Sequence, residues 1–304
     1  MGKIALPKRV TFAPGISKSK VRYLEHGFRM IGVDVVYNDS YVNQIWDDVV
    51  YPFRLDYKGG RSVVCWLDIV ASRTKTYTSL LNEHEETMMF KTHLAKTDLK
   101  KHPRLLPMPQ CTSNMRYFSH LGALRENTKR RPHKYDIVGI FVNSDAGLRT
   151  KAVDLIRQHE EWKGLAWMII HPRLPRAKID VRLQGPKMNY YKHLDCQSRS
   201  KICLAMPGAR KNQGASISFR HVEAWGMGAF VLTMQPGTVL VGNPKQVEAH
   251  FKVDLSDFAK KVNFYINNED ARKEVQENGR RYFDSFLTPQ AHAWHVLKNT
   301  QEVI

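Results

Sequence analysis

The residues YYKHLDCQSRSKICLAMPGARKNQGASISFRHVEAWGMGAFVLTMQP, Tyr190–Pro236, decide the fold of this chain. Within them, the apolar run 202–206 ends at Pro207-Gly208, which predicts a buried strand. A second apolar run, 229–233, follows the glycines at 226 and 228 and predicts the next parallel strand. The residues between the two runs fit a loop and a helix, so the segment predicts a βαβ unit of an α/β protein.

The loop and the start of the helix carry the polar residues of this unit. Arg210 and Lys211 lie in the loop, and the helix is predicted to begin near Ser216 or Ser218, whose hydroxyls suit the free N–H groups of a first turn. Arg220 then lies in the first turn. A helix N-terminus flanked by arginine and lysine side chains fits a diphosphate, so Arg210, Lys211 and Ser216 are predicted to contact the donor.

The order of strand, Pro-Gly, loop, Arg220-x-x-Glu223-Ala and Gly228-x-x-Val resembles the donor half of GT-B glycosyltransferases. The likeness is to their exostosin-like and CgeB-like branches, and it extends over residues 136–295. The resemblance implies that Glu223 holds the ribose of a nucleotide-sugar donor and that Arg220 holds its diphosphate. It also implies a phosphate contact for Arg149, which follows the first strand of this half.

The chain departs from the paired glutamates of retaining family members. Val231 stands seven residues beyond Glu223, and no second glutamate occurs nearby. Inversion and retention therefore both stay open, and the sequence names neither the sugar nor the nucleotide, although a UDP-sugar is the expected donor. No other cofactor is expected.

Two lobes are predicted from the length of 304 residues and from the strand pattern. The stretch 127–134 is the best linker, and the apolar run Tyr135–Val142 opens a second sheet. We therefore expect an acceptor-binding lobe at 1–134 and a nucleotide-sugar-binding lobe at 135–304. Both are expected to be Rossmann-like and to face each other across a cleft, with the last helix returning to the first lobe.

Net charge is the unusual property of the composition. The chain has 47 Lys and Arg against 29 Asp and Glu, a net of +18; the first 135 residues hold 23 basic and 12 acidic residues, a net of +11. Such an excess attracts polyanions, namely nucleic acid, anionic membrane or acidic glycan. The predicted nucleic-acid contacts are Lys100, Lys101, Arg104, Arg130 and Arg131.

Transfer to a hydroxyl needs a base, and Asp68 is the candidate because it follows a predicted strand, at the edge where α/β clefts form. A helix cap or a structural hydrogen bond is the alternative role for Asp68. The chain has no Gly-x-Ser-x-Gly and no P-loop motif, which argues against a serine hydrolase and a P-loop ATPase. It also lacks a strand-end Asp-x-Asp, and no metal site is expected.

These features together predict a glycosyltransferase that moves a sugar from a nucleotide sugar to a hydroxyl. The charge favours a hydroxymethylated base in DNA as acceptor, as in phage DNA-modifying transferases. The alternatives are a cell-surface polysaccharide or lipopolysaccharide glycosyltransferase and a non-catalytic nucleic-acid-binding protein. Four scattered cysteines predict free thiols in a reducing cytosol, that of the host if the protein is phage-encoded. No apolar run reaches the roughly 18 residues of a membrane span.

Overall fold

The computed structural model describes residues 4–13, 19–38, 50–68, 78, 81–112, 115–142, 147–169, 181–206, 217–235 and 239–301. The chain forms two compact units. The first comprises Met1–Met115, Gly237–Asn243 and Asp284–Ile304, and the second comprises Arg116–Pro236 and Pro244–Phe283.

The helices and strands are numbered here in chain order. The strands are β1 Arg9–Phe12, β2 Asp34–Tyr37, β3 Val50–Asp56, β4 Ser62–Asp68, β5 Thr87–Lys91, β6 Leu105–Pro107, β7 Tyr135–Val142, β8 Gly164–Ile169, β9 Ser200–Leu204, β10 Val231–Met234 and β11 Ala249–Phe251. The α-helices are α1 Ser19–Met30, α2 Met115–Arg130, α3 Leu148–Gln158, α4 Tyr190–Ser198, α5 Phe219–Gly226, α6 Phe258–Asn267, α7 Glu269–Tyr282 and α8 Pro289–Thr300.

The sheet of the first unit has the order β2-β1-β3-β4-β5-β6. β1 and β2 pair in parallel, and so do β4, β5 and β6, as in a Rossmann-like region. β3 departs from this pattern because it runs antiparallel to both β1 and β4. It forms a hairpin with β4 through a turn in which Gly59 and Gly60 have φ of 82° and 79°, which glycine adopts without strain. Pro52 interrupts the apolar pattern of β3, so the sequence pattern did not predict this strand.

The last helix, α8, packs against α1 in the first unit. A Cβ atom at Gly27 of α1 would lie 1.9 Å from the Pro289 carbonyl oxygen, so this close approach requires glycine. The Tyr23 hydroxyl, also on α1, donates to the Leu287 carbonyl at 2.6 Å. Val296 and Leu297 of α8 are fully buried in the core of this unit. The final segment of the chain therefore completes the hydrophobic core of the first unit.

The sheet of the second unit is parallel throughout, with the order β11-β10-β9-β7-β8. Its inner strands β7, β9 and β10 are largely apolar and buried on both faces, as expected for a sheet between two helix layers. The observed β7 has the predicted bounds, and the runs at 202–206 and 229–233 overlap β9 and β10. The predicted βαβ unit is thus present as β9-α5-β10.

Two further predictions concern the chain as a whole. The four cysteines are buried free thiols, as expected. Within the described ranges, no helix has the length and apolar character needed to cross a membrane.

Candidate functional site

The second unit has a reversal of strand order at β7. This strand lies between β8 on one side and β9 on the other, so the chain leaves it first in one direction and later in the other. In open parallel sheets, ligands bind beyond the carboxyl ends of the strands at such a point. The side chains that follow β7 and β9 are therefore the first to consider.

Two arginines meet at this position around one aromatic ring. Phe141, near the end of β7, has the Arg149 guanidinium carbon 5.5 Å and the Arg220 guanidinium carbon 4.9 Å from its ring centroid. Arg149 also donates to the Met206 carbonyl oxygen at 2.9 Å, just beyond β9. The first turns of α3 and α5 thus bring together two cations that lie 71 positions apart in sequence.

Arg220 has no hydrogen-bond or ion-pair partner among the residues that the structure describes. Burial lowers the pKa of Arg220, while Tyr190, Glu223 and Cys203 act in the opposite direction. A guanidinium remains charged under these conditions because its ordinary pKa is so high. A half-buried arginine beside a second arginine attracts an anion, and a diphosphate matches two guanidinium groups.

The first turn of α5 is closed by its own side chains. Ser218 is the N-cap, and its backbone N–H donates to Nδ1 of His221 at 3.1 Å. The sequence predicted that the helix begins near Ser216 or Ser218, and the structure has Ser218 as the N-cap. Ser216, Arg210 and Lys211 lie outside the described residues, so their predicted donor contacts stay predictions.

α5 ends where close packing requires small residues. A Cβ atom at Gly226 would lie 2.6 Å from Leu121 Cδ1 and 2.8 Å from Phe283 Cε2, and Gly228 has φ of 68°. The Arg125 side chain donates to the Gly226 carbonyl at 2.9 Å. The helix that carries Arg220 is therefore fixed at its far end by α2 and by the residue after α7.

Glu223 lies one turn after Arg220 and is 0% exposed. The Tyr190 hydroxyl of α4 donates a hydrogen bond to its carboxylate. Tyr190 in turn stacks on Tyr117 of α2, with ring centroids 4.2 Å apart. A ribose would reach this carboxylate only by displacing a surrounding group, so the ribose contact of Glu223 stays a prediction.

His193, like Tyr190, is a residue of this site that the sequence pattern did not identify. It lies on α4, is buried, and its Nε2 atom has no hydrogen-bond partner in the described part of the chain. Burial first, and then the Arg220 charge, lower the pKa of His193 to about 3. It is therefore neutral at pH 7. Tyr190 and His193 belong to a helix that precedes the βαβ unit, so no local motif connects them with Arg220 and Glu223.

The candidate base lies in the first unit. Asp68, at the end of β4, is 0% exposed, and its carboxylate forms an ion pair with Lys91, which is 1% exposed. The two residues are paired neighbours on β4 and β5. What the structure places at this position is a buried ion pair, and the role of Asp68 as a base stays a prediction.

The predicted nucleic-acid contacts have different environments. Arg104 donates to the carbonyl oxygens of Leu81, His84 and Thr87, so its guanidinium holds the backbone of the first unit together. Lys101 pairs with Asp98. The remaining predicted contacts are exposed: Lys100, Arg130 and Arg131.

Comparison with known proteins adds a match to a family model in the second half of the chain. Residues 149–298 match the family described as glycosyl transferase-like. No curated protein matches the chain.

Among solved structures, a glycosyltransferase from Rickettsia africae is similar at 13% identity and a TM-score of 0.51, over 95% of this chain and 83% of that one. The N-terminal domain of trehalose-6-phosphate phosphatase from Candida albicans is similar at 8% identity and a TM-score of 0.50, over 96% of this chain and 77% of that one. A mutant of S. aureus TarM in complex with fondaparinux, alpha-GlcNAc-glycerol and UDP aligns at 10% identity and a TM-score of 0.47, over 77% of this chain and 55% of that one.

Residues 149–298 therefore match a glycosyl transferase-like family, and the protein has the GT-B fold that the sequence predicted. This supports a transferase. The narrower likeness to the exostosin-like and CgeB-like branches stays a prediction.

Proposed function

We propose that this protein is a glycosyltransferase that takes a sugar from a nucleotide-sugar donor, with the donor bound at the carboxyl ends of β7 and β9. The observation that carries the proposal is the pair of arginines, Arg149 and Arg220, on either side of the sheet reversal and around Phe141. Parallel sheets bind ligands at this point, and two guanidinium groups suit a diphosphate. The glycosyl transferase-like family of residues 149–298 supports the same donor class.

The chemistry assigned to the site is a displacement at the anomeric carbon. The acceptor hydroxyl oxygen forms the new bond to this carbon, a base takes its proton, and the bond to the diphosphate oxygen breaks. Negative charge then develops on the departing diphosphate. Arg149 and Arg220 stabilise that charge most strongly in the transition state, where it is largest. Glu223 is proposed to hold the ribose and Asp68 to act as the base.

Direct measurement of donor binding tests this proposal. In titration calorimetry with UDP and a panel of nucleotide diphosphates, we expect Arg220→Ala to weaken binding of the preferred nucleotide about tenfold to a hundredfold, since one charge-assisted hydrogen bond is lost. The matched control is Lys151→Ala, which removes an exposed cation from α3 two positions beyond Arg149. Equal affinities of the wild type and Arg220→Ala would refute the assignment.

The acceptor is the second part of the proposal. The net charge of +11 in the first 135 residues supports a polyanion, for which a hydroxymethylated base in DNA remains our proposal. An enzyme acting on such a base must reach it in the major groove or flip it out of the stack. Lys100, Arg130 and Arg131 are the exposed cations proposed to contact phosphates.

One observation favours a smaller acceptor. The first unit contains a cavity of about 750 Å³, a size typical of small-molecule sites. Its wall includes the exposed side chains of Leu99 and Trp294 and the polar side chains of Gln290, Lys298 and Asn299. Apolar surface beside hydrogen-bonding groups fits a glycan or lipid-linked acceptor of a cell-surface polysaccharide enzyme.

Sugar transfer to defined acceptors separates the two possibilities. Nucleotide sugars are supplied with DNA containing 5-hydroxymethylcytosine or 5-hydroxymethyluracil, and separately with oligosaccharide and lipid-linked acceptors. Transfer only to the modified DNA supports the DNA proposal, and transfer only to the other acceptors overturns it. Hydrolysis of the donor without any acceptor would distinguish an enzyme from a non-catalytic nucleic-acid-binding protein.

A further inference from the structure

His221 lies between the two residues of α5 that are proposed to bind the donor, Arg220 and Glu223. Its ring is 1% exposed and makes a contact at each nitrogen. Nδ1 accepts the Ser218 backbone N–H at 3.1 Å, and Nε2 lies 3.1 Å from Oγ1 of Thr233 on β10. The imidazole therefore connects the N-cap of α5 with the neighbouring strand.

These contacts determine the protonation of the ring. A backbone N–H can only donate, so Nδ1 is unprotonated and the proton of the neutral ring lies on Nε2. Nε2–H then donates to the Thr233 hydroxyl. The carboxylate of Glu248, with Oε2 at 3.9 Å from Nε2, lies on the same side and favours a proton there. Burial lowers the pKa of His221, which is consistent with a neutral ring.

The position of His221 in the helix shows that these contacts also cap the helix. It occupies the third helical position, where a capping box usually has Glu or Gln accepting the N-cap amide. Here the ring does the same and, in addition, ties the turn to β10. An ordinary glutamate would close the helix start without fixing its position on the sheet.

We propose that His221 is a positioning residue for the donor site, which holds the first turn of α5 on β10 and so fixes the guanidinium of Arg220 beside Phe141. This inference rests on the donor site proposed above. Arg220 precedes His221 directly and lacks a hydrogen-bond or ion-pair partner among the described residues. Its place is therefore set by the backbone of this turn, which His221 holds, and by the ring of Phe141.

The decisive comparison uses two substitutions of the same residue. In His221→Gln, the side-chain oxygen accepts the Ser218 N–H, and the amide nitrogen is available to donate to Thr233. His221→Leu keeps an apolar body of comparable size but offers neither contact. With UDP as the probe and at a temperature where the variants are folded, we expect Gln to retain the affinity within about twofold and Leu to weaken it about tenfold or more.

A matched control separates positioning from general destabilisation. Trp162 lies just before β8, at the opposite end of the sheet from the site, and its Nε1–H donates to Asn263 at 2.7 Å. Trp162→Phe removes a part-buried hydrogen bond and places a smaller ring at a buried position, so its melting temperature should fall while its affinity for UDP stays unchanged. Thr233→Val removes the other end of the His221 contact, keeps the side-chain size, and should weaken UDP binding about threefold.

The outcomes are distinct. Unchanged UDP affinity in folded His221→Leu, or in Thr233→Val if the leucine variant does not fold, overturns the positioning role and leaves the proposed function standing. A loss of affinity in Trp162→Phe as large as that in His221→Leu also overturns it. Failure of the wild type to bind UDP or any other nucleotide diphosphate overturns the proposed function and this inference together.

Discussion

Two cations, one in each unit, have opposite environments. Lys91 in the first unit is buried between strands and paired with the carboxylate of Asp68 on the adjacent strand. Arg220 in the second unit is half-buried over Phe141 and has no ion-pair partner in the described part of the chain. The charge of Lys91 is compensated by a direct ion pair inside the protein, whereas Arg220 has no direct ion pair among the described residues and is available to an anionic ligand.

The difference teaches how to separate a structural charge from a binding charge. Removing a charge from water is unfavourable unless an opposite charge compensates, so a buried cation normally has a counterion. Where the protein itself supplies the counterion, substitution of the cation should change stability. Where a ligand supplies the counterion, substitution of the cation should change binding and leave stability nearly intact.

The largest effect on stability is expected at the buried ion pair of Lys91 and Asp68. Lys91→Met leaves the Asp68 carboxylate buried without its counterion and should lower the free energy of unfolding by about 3–5 kcal/mol. Replacing both partners, Lys91→Met with Asp68→Leu, should recover most of this loss. Chemical denaturation measures both values. A loss below about 1 kcal/mol for Lys91→Met would break the comparison.

The same pair bears on the proposed base. Asp68→Asn should abolish sugar transfer if Asp68 takes the acceptor proton, at a temperature where the variant is folded. Retention of most of the turnover by a folded Asp68→Asn protein would leave Asp68 with its ion pair alone.

The next effect concerns Arg220 during catalysis. If Arg220 stabilises the departing diphosphate, Arg220→Ala should lower turnover about a hundredfold to a thousandfold, the range seen when one transition-state donor is removed. Its stability should fall by less than that of Lys91→Met, because a cation–π contact and an attraction to Glu223 are lost rather than a direct buried ion pair. Activity assays and thermal melts of one preparation test both statements.

Chelation supplies the control for this mechanism. Because Arg149 and Arg220 are proposed to supply the compensating charge, most of the activity should remain in EDTA. Complete loss in EDTA, restored by magnesium or manganese, would contradict the proposed role of the arginines.

A smaller effect is expected from two buried histidines, one in each unit. Burial lowers the pKa of His193 and of His292 to about 3, so both are neutral in the folded protein. In the unfolded chain a histidine takes up a proton below about pH 6.5. Stability is therefore fully present above pH 6.5 and falls as the pH is lowered toward 3, by up to about 2 kcal/mol per histidine at pH 5. Denaturation at pH 6.5 and at pH 5 should show a smaller difference in the free energy of unfolding for His193→Gln and His292→Gln than for the wild type.

The smallest expected effect is on UDP affinity, and it compares Tyr190 with Glu223 inside the donor site. Tyr190→Phe removes the hydroxyl that donates to Glu223 and keeps the stacking on Tyr117. We expect UDP affinity to fall about threefold to tenfold, as for the net value of one hydrogen bond. Glu223→Ala should weaken it more, about tenfold to a hundredfold, if the carboxylate holds the ribose. Equal affinity of Glu223→Ala and the wild type would remove Glu223 from the site.

Local patterns were sufficient for much of the second unit. Apolar runs bounded by Pro and Gly predicted β7, β9 and β10, because a strand buried on both faces is nearly all apolar and a turn must interrupt it. The first unit was harder to predict, since β3 contains Pro52 and pairs antiparallel with strands that otherwise belong to parallel pairs. Strand direction depends on the partner that a strand finds, which its own residues do not encode.

The sequence by itself determined that the chain is an α/β protein with a βαβ unit around Arg220 and Glu223, because hydrophobic periodicity, caps and turn residues act within a few positions. Tertiary structure alone decided which charges are compensated. It paired Lys91 with Asp68, bound Arg104 to backbone carbonyls, and brought Arg149 and Arg220 to one aromatic ring. The physical reason is that Coulomb energy and desolvation depend on distance in space, and residues far apart in sequence become neighbours only when the strands between them have paired.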